Sequence, residues 1–302
     1  MPINELEQHP YLKYYTDLDK PKDWFEGLII GSFPIYHITD TVDENHNVTE
    51  QRFNEKKAGM RFFYGSLENS LWGTLAKIFK QPEPFSFPIE QRVTEATRLL
   101  TDHRLLISDV VCRTNREKES SEDSALMNRK ATTVSYVAQG LSLNYSLIEM
   151  LVDHPGIKNL YFTASSTQGN SPYSWFKQIA SSRSAYEFKE LATFPVGLEK
   201  KFSIEISLLN RKFTVYLLPT PAGKFGRGIH FTDSRKHEVF CNYMNSVDPV
   251  FYSSIKNTLK VERSEETIKK LSQHRQSLFL EIYRQAIVLN NNTYSGKSKE
   301  SD

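Results

Sequence analysis

Short apolar segments that alternate with helical patterns constrain the fold of this chain most strongly. Each segment is followed by a loop, and the segments read GLIIGSFP (27–34), RLLISDVV (104–111), GIKNLYFTAS (156–165) and KFTVYLLP (212–219). Between them, apolar residues recur at helical spacing, as Leu71, Leu75 and Ile78 do. Strands that alternate with helices predict an α/β fold, here a three-layer α/β/α sandwich with a mainly parallel central sheet.

The loops that follow these strands are the places where a functional site is expected. Ligands of parallel α/β sheets bind beyond the carboxyl ends of the strands. Three of these loops have an unusual composition, and they read GSFP, SDVVCRTN and LPTPAG. We therefore expect these three loops to converge on one crevice.

Local signals predict further elements. Residues 37–59 are polar and predict a surface insertion. The strands on either side of Asn210 and Arg211 predict a hairpin. Ser171 followed by Pro172 predicts a helix start, with the serine as N-cap.

The chain divides into three parts by pattern. We expect an α/β domain over residues 1–249 and a C-terminal helical extension over 250–289. The last segment, 290–302, is polar and is expected to be disordered.

Composition limits the class of protein. The net charge of +2 does not by itself mark a nucleic-acid binder, because the local field over one face decides that. The two cysteines, Cys112 and Cys241, imply neither a disulfide framework nor a zinc or iron–sulfur site. The N-terminus has no signal-peptide core, and no apolar run approaches the roughly 20 residues that span a bilayer. We expect a soluble, cytoplasmic monomer without a membrane partner.

Four motifs occur in an order that resembles the uracil-DNA glycosylase superfamily. They read LIIGSFP, FFYGSLENSLW, LLISDVVCRTNREKESSEDSAL and VYLLPTPAG. The hypoxanthine-DNA glycosylase-like branch of this superfamily looks closest, and the resemblance covers about residues 25–225. The positions that match its motifs are Asn69 and Trp72 at a helix start, Asp109 and Val110 at a strand end, and Asp123 and Ser124.

The resemblance implies a monofunctional DNA glycosylase of base excision repair. Such an enzyme would hydrolyse the N-glycosidic bond of a damaged or modified base, of the uracil or hypoxanthine type, flipped out of DNA. No metal or cofactor is implied, and no lysine stands in a recognisable Schiff-base position. By resemblance, Asn69 positions water or contacts the base, and Asp109 is the second catalytic candidate. The predicted base pocket consists of Gly31, Ser32, Phe33, Pro34, Phe63 and Tyr64.

The basic, glycine-rich loop at 220–237 is the predicted DNA contact. Its cations offer phosphate contacts, and its glycines let backbone N–H groups approach a phosphate closely. Phe225 is suited to wedge into the gap that a flipped base leaves. The predicted DNA-binding residues are Pro219, Thr220, Gly223, Lys224, Phe225, Arg227 and His230.

The chain departs from the family pattern at three places. Phe33 stands where the best-known relatives have Asp or Asn before the proline, so this loop supplies no carboxylate to activate water; the branch that the chain resembles has the same substitution, which does not eliminate activity. Ser70 and Leu71 replace an Arg-Phe pair, and the loop after Pro219 lacks the usual serines. These departures leave the substrate range and the catalytic competence open.

Simpler interpretations stand beside the functional ones. Asn69 is also a plausible helix N-cap, Phe63 a plausible core residue, and Asp109 a plausible cap of a turn. The loop at 220–237 is also compatible with a solvated loop that has no partner. At the level of function, the alternatives are a catalytically weak or inactive glycosylase-like nucleic-acid-binding protein and an α/β protein that binds a small nucleotide or another ligand and not DNA.

Overall fold

The computed structural model describes residues 6–115, 141–183, 185–193, 203–221, 234–256 and 264–289. Within these ranges the chain is a mixed α/β protein. The helices are α1 (Leu71–Phe79), α2 (Arg92–Asp102), α3 (Ser146–Asp153), α4 (Pro172–Ser182), α5 (Ser234–Val247), α6 (Pro249–Ile255) and α7 (Glu265–Tyr283), which continues as a π-helical segment (Arg284–Leu289). The strands are β1 (Leu6–Gln8), β2 (Gly27–Gly31), β3 (Asp40–Val42), β4 (Val48–Gln51), β5 (Leu105–Asp109), β6 (Val111–Asn115), β7 (Ser142–Leu143), β8 (Asn159–Phe162), β9 (Lys189–Thr193), β10 (Ser203–Leu208) and β11 (Arg211–Leu217).

The larger sheet is parallel in its first part and antiparallel in its second. Its strand order is β5-β2-β8-β11-β10-β9. Neighbouring strands from β5 to β11 pair in parallel, whereas β10 pairs with β11 and with β9 in antiparallel fashion. Strands β2, β5 and β8 are buried along their whole length, as their continuous apolar sequences require.

A second, antiparallel sheet was not predicted from the sequence. Its order is β4-β3-β1-β6-β7. Strands β3 and β4 come from residues 37–59, which we expected to form a surface insertion. Residues Thr39, Asp40 and Thr41 are buried, so this segment is partly built into the protein. The reason lies in β1 at the N-terminus, which pairs with both β3 and β6.

The chain passes from one sheet to the other at Val110. The sequence predicted one strand over 104–111, but β5 ends at Asp109 and β6 begins at Val111. The backbone N–H groups of Val110 and Val111 donate to the carbonyl oxygens of Gly31 and Ser32, both at 3.0 Å. This crossing places Asp109 where the two sheets meet.

Successive side chains along the strands of the larger sheet belong to two different hydrophobic clusters. Leu28 and Ile30 of β2 belong to one cluster and Ile29 to the other, so the clusters lie on opposite faces of the sheet. The first cluster contains apolar residues of α3 and α4. The second contains those of α1 and α2 together with Leu278, Phe279 and other residues of the C-terminal helices. Helix α7 therefore completes a core that α1 also lines.

Two local predictions are confirmed. Ser171 caps α4, because its Oγ accepts from the N–H of Ser174 at 3.2 Å and Pro172 takes the first helical position. Strands β10 and β11 form the predicted hairpin, with Leu208 opposite Arg211. Its two turn residues are therefore Leu209 and Asn210, one position earlier than expected, and both have positive φ, as a type I′ hairpin turn requires.

Candidate functional site

The carboxyl ends of three parallel strands meet at one place. Gly31 at the end of β2 lies opposite Asp109 at the end of β5. Thr163, directly after β8, donates its backbone N–H to the carbonyl of Ile30 at 3.1 Å. The first and second predicted loops thus start side by side, and the cluster formed by Gly31, Asp109, Thr163, His9 and Tyr64 is called the strand-end site below.

Asp109 is a buried carboxylate at the centre of the strand-end site, with 3% of its surface exposed. Its Oδ2 lies 3.0 Å from Nε2 of His9. The other ring nitrogen of His9, Nδ1, accepts from the backbone N–H of Tyr11 at 3.1 Å. Because Nδ1 is an acceptor, the ring proton is on Nε2, and His9 donates to Asp109.

The second oxygen of Asp109 is in a different situation. Among the residues that the structure describes, no group makes a hydrogen bond with Oδ1, although this atom is buried. A buried acceptor without a donor costs about 1–3 kcal/mol, so such an atom in a native protein calls for a functional or structural explanation.

The Tyr64 hydroxyl packs against the backbone of Gly31, as Oδ1 of Asp109 does. A Cβ added to Gly31 would lie 2.1 Å from the Tyr64 hydroxyl and 2.2 Å from Oδ1 of Asp109, so both atoms touch the glycine where no larger residue fits. The Tyr64 hydroxyl also makes a 2.5 Å hydrogen bond with Oγ1 of Thr163. Tyr64 has a φ of 52°, which a tyrosine adopts at a cost in free energy, and such strain is concentrated at functional sites.

His9 and Thr163 were missed by the sequence analysis. His9 reaches Asp109 because β1 pairs with β6 and because its own backbone N–H donates to the carbonyl of Cys112 at 2.9 Å. No motif in the N-terminal segment indicates this pairing. Thr163 carried a signal that was available, since it is the first polar residue after the apolar run that ends at Phe162 in a predicted strand of the parallel sheet.

The aromatic residues of the predicted pocket have different environments. Phe63 has 0% exposure, and its ring packs 4.7 Å from that of His9 and 5.1 Å from that of Phe62. Phe63 therefore offers no ring face to a base in this conformation. It is a core residue here, which is the alternative to the base-pocket role that the sequence also allowed. Phe33 and Tyr64 are partly exposed, and Phe33 meets the His9 ring edge-on at 5.9 Å.

The remaining predicted pocket residues surround the end of β2. Ser32 is partly exposed, whereas Pro34 is buried. The carbonyl of Ser32 is held by Val111, as described above. These residues form the turn through which the chain leaves the larger sheet.

Asn69 takes part in the start of α1. Its side-chain oxygen accepts from the backbone N–H of Leu71 at 2.9 Å, and its own N–H donates to the carbonyl of Ser66 at 3.1 Å. The geometric N-cap is Ser70 rather than Asn69. The hydrogen bonds of Asn69 thus stabilise the helix start, and none of them joins Asn69 to Asp109.

The third predicted loop is tied to the second motif. Ser70 donates both its backbone N–H and its hydroxyl to the carbonyl of Pro221, at 2.9 and 3.0 Å. The carbonyl of Pro219 accepts from the hydroxyl of Tyr283 at 2.8 Å, and Thr220 is partly exposed. The other predicted DNA-binding residues lie outside the described residues, and they are Gly223, Lys224, Phe225, Arg227 and His230.

Asp40 of strand β3 and its ionic partner Arg61 lie near His9. Burial raises the pKa of Asp40, and the positive charge of Arg61 opposes this effect. Asp40 forms an ion pair with Arg61. Burial also raises the pKa of the nearby Tyr11 hydroxyl, which stays neutral. No group of three or more potential metal-ligating side chains occurs in the part of the chain that the structure describes.

A separate hollow of about 640 Å³ lies on the antiparallel sheet. It contains none of the predicted site residues, and its lining includes Leu6, Thr41, Glu50, Arg113 and Ser142. The strand-end site and this hollow are therefore distinct features.

Comparison with known proteins gives no independent assignment. Neither a family model, nor a curated protein, nor a solved structure matches this chain. Among the described helices, none has the length and apolar character needed to cross a bilayer. The functional proposal therefore depends on the motifs and on the geometry of the strand-end site.

Proposed function

We propose that this protein is a monofunctional DNA glycosylase with a three-layer α/β/α domain. Its substrate is a damaged or modified base flipped out of DNA, and the motifs resemble those of enzymes for uracil and hypoxanthine. The observation that carries the proposal is the contact of Gly31, Tyr64 and Asp109, which brings three of the four motif regions together at the strand ends. The two hydrophobic clusters on opposite faces of the larger sheet support the layered fold.

The proposed chemistry is the hydrolysis of one C1′–N bond. The bond breaks and its electron pair leaves with the base. The oxygen of a water molecule then joins the positively charged sugar, and the proton that this water loses ends on the departing base. Asn69 orients this water or contacts the base through its amide nitrogen, because its oxygen is engaged by Leu71. Asp109 contacts the base at the strand ends.

The exposure of the aromatic side chains indicates which of them can form a wall of the proposed pocket. A flipped base stacks on an aromatic face, and Phe33 and Tyr64 are the partly exposed aromatic residues of the predicted set. Pro219 and Thr220 begin the loop that we propose for DNA contact, and the basic residues that follow supply phosphate contacts.

A base-release assay tests the proposal. Duplexes that carry uracil, hypoxanthine, xanthine or a modified cytosine are incubated with the protein, and abasic sites are revealed by alkaline strand cleavage. We expect cleavage of at least one duplex and its loss in Asn69→Ala. Salt-dependent DNA binding without any base release would favour the weak or inactive nucleic-acid-binding alternative. Absence of both would overturn the proposal in favour of an α/β protein that binds a small nucleotide or another ligand.

A further inference from the structure

The two oxygens of Asp109 have different hydrogen-bonding environments, and this difference indicates which kind of group the ligand presents to them. Oδ2 accepts from His9, while Oδ1 is buried and has no hydrogen-bond partner among the described residues. Oδ1 lies against Gly31 on the side where the Tyr64 hydroxyl also lies. A group that completes the hydrogen bonding of Oδ1 has to arrive at the strand-end site and has to be a donor.

His9 fixes which oxygen faces this site. The proton of its ring is on Nε2, because Nδ1 accepts from the backbone of Tyr11. His9 can therefore donate to Asp109 but cannot accept from it. Both side chains are buried, with 0% and 5% of their side-chain surfaces exposed, so one carboxylate oxygen stays on His9 and the other faces the strand-end site.

A carboxylate discriminates between base edges because it only accepts. It forms a favourable hydrogen bond with an exocyclic amine, as of cytosine N4 or adenine N6. It repels the carbonyl oxygen that occupies the same position in uracil or hypoxanthine. We infer that Asp109 Oδ1 selects bases with an exocyclic amine at this position, so that the preferred substrates are modified amino-bases rather than uracil or hypoxanthine.

This inference rests on the proposed function and makes its substrate class more specific. The Tyr64 hydroxyl lies next to Oδ1 in the present conformation, so the base edge reaches Oδ1 after the Tyr64 ring has turned away from Gly31. His9 acts here as a positioning residue, because it touches Asp109 and not the base.

The substitution Asp109→Asn tests the inference, because it is expected to reverse the preference between amine and carbonyl bases. His9 still donates, so the amide oxygen of the variant stays on the His9 side and its NH₂ group faces the site. This NH₂ group donates to a carbonyl and opposes an amine. The base preference of Asp109→Asn is therefore expected to be the reverse of the wild-type preference.

Binding is measured on matched DNA pairs with the full chain. The pairs are cytosine and uracil, 5-hydroxymethylcytosine and 5-hydroxymethyluracil, and adenine and hypoxanthine, each opposite a base-free spacer. They are built from 2′-fluoroarabino nucleotides, whose glycosidic bond resists hydrolysis. We expect wild type to bind the amine member of at least one pair about tenfold more tightly and Asp109→Asn to prefer the carbonyl member. Asp153→Asn makes the same chemical change at a half-exposed carboxylate and is expected to keep the wild-type preference.

Two results would overturn the inference. One is a wild-type protein that binds the carbonyl member of every pair as tightly as the amine member, or more tightly. The other is an Asp109→Asn variant that retains the wild-type order. Base release is assayed in parallel on ordinary deoxynucleotides. An amine preference in binding without any release would contradict the glycosylase proposal alone, whereas release without an amine preference would contradict this inference alone.

Discussion

Nε2 of His9 donates a hydrogen bond of 3.0 Å to Oδ2 of Asp109, although 100 positions separate the two residues in the sequence. Both side chains are almost fully buried. The bond joins the N-terminal antiparallel sheet to the end of the parallel strand β5. It thereby connects a segment outside the recognised motifs to the centre of the strand-end site.

Loss of the His9 donor is expected to destabilise the protein. His9→Ala leaves the Asp109 carboxylate buried without a hydrogen-bond donor on either oxygen, at a cost of about 3 kcal/mol. His9→Gln retains an N–H donor, so its free energy of unfolding is expected to fall clearly less than that of His9→Ala. The free energies of unfolding come from urea titrations of the three proteins. Equal stabilities of wild type and His9→Ala would mean that the pair does not hold Asp109.

Gly31 is expected to tolerate no side chain. A Cβ at this position meets the Tyr64 hydroxyl and Asp109 Oδ1 at about 2 Å, so Gly31→Ala is predicted to cost about 1–3 kcal/mol. Part of this cost is expected to disappear in a Tyr64→Ala background, which a double-mutant cycle measures.

A matched glycine variant controls for the general effect of an added methyl group. Gly73→Ala lies inside α1, and the atoms nearest to its Cβ belong to the end of the flexible Glu83 side chain, at 3.1 Å or more. It is predicted to leave stability unchanged or to raise it by up to about 1 kcal/mol. If Gly31→Ala behaved like Gly73→Ala, the close contact at the strand-end site would be refuted.

The sequence predicted the parallel strands well because each is a continuous apolar run between loop signals. It also placed Gly31 and Asp109 together, since adjacent parallel strands end at the same edge of a sheet. It could not predict that β1 brings His9 to Asp109, because three-residue strands carry no periodic signal and their pairing is long-range. For the same reason the sequence did not show that β3, within the polar segment 37–59, is buried in a second sheet, although β4 of that segment is exposed.

The C-terminal helices are expected to be required for folding. Tyr283 donates to the buried carbonyl of Pro219, and α7 contributes to the same hydrophobic cluster as α1. Tyr283→Phe leaves that carbonyl without its donor and is predicted to cost about 1–2 kcal/mol in the free energy of unfolding. A chain that ends at residue 249 is predicted to show no cooperative thermal transition. Cooperative unfolding of the shortened chain would show that the α/β part folds independently.

Stability is expected to fall when the pH drops below about 6.5. Burial lowers the pKa of His103 below its ordinary value of 6.5, and Asp102 opposes this effect. The unfolded chain therefore binds the proton more strongly than the folded chain, so stability is full above this pH and is lost as the pH falls. His103 stacks on Phe79 at 3.6 Å and contacts Gln81, and His103→Phe keeps the stack without the titration.

The comparison of wild type with His103→Phe isolates this effect. Melting temperatures between about pH 5 and 7 are expected to depend less steeply on pH in the variant. His154, whose pKa burial also lowers, accounts for part of the slope that remains. Identical slopes in the two proteins would show that His103 takes up its proton equally in the folded and unfolded states.

The most direct test of the central claim is mass spectrometry of the products formed from DNA. The protein is incubated with oligonucleotide duplexes that carry the panel of modified bases, and the mass of every strand and of every free base is recorded. We predict that wild type releases at least one free base and leaves a strand with an abasic site of matching mass, and that Asp109→Ala does not. Recovery of every strand with its bases intact would contradict the account.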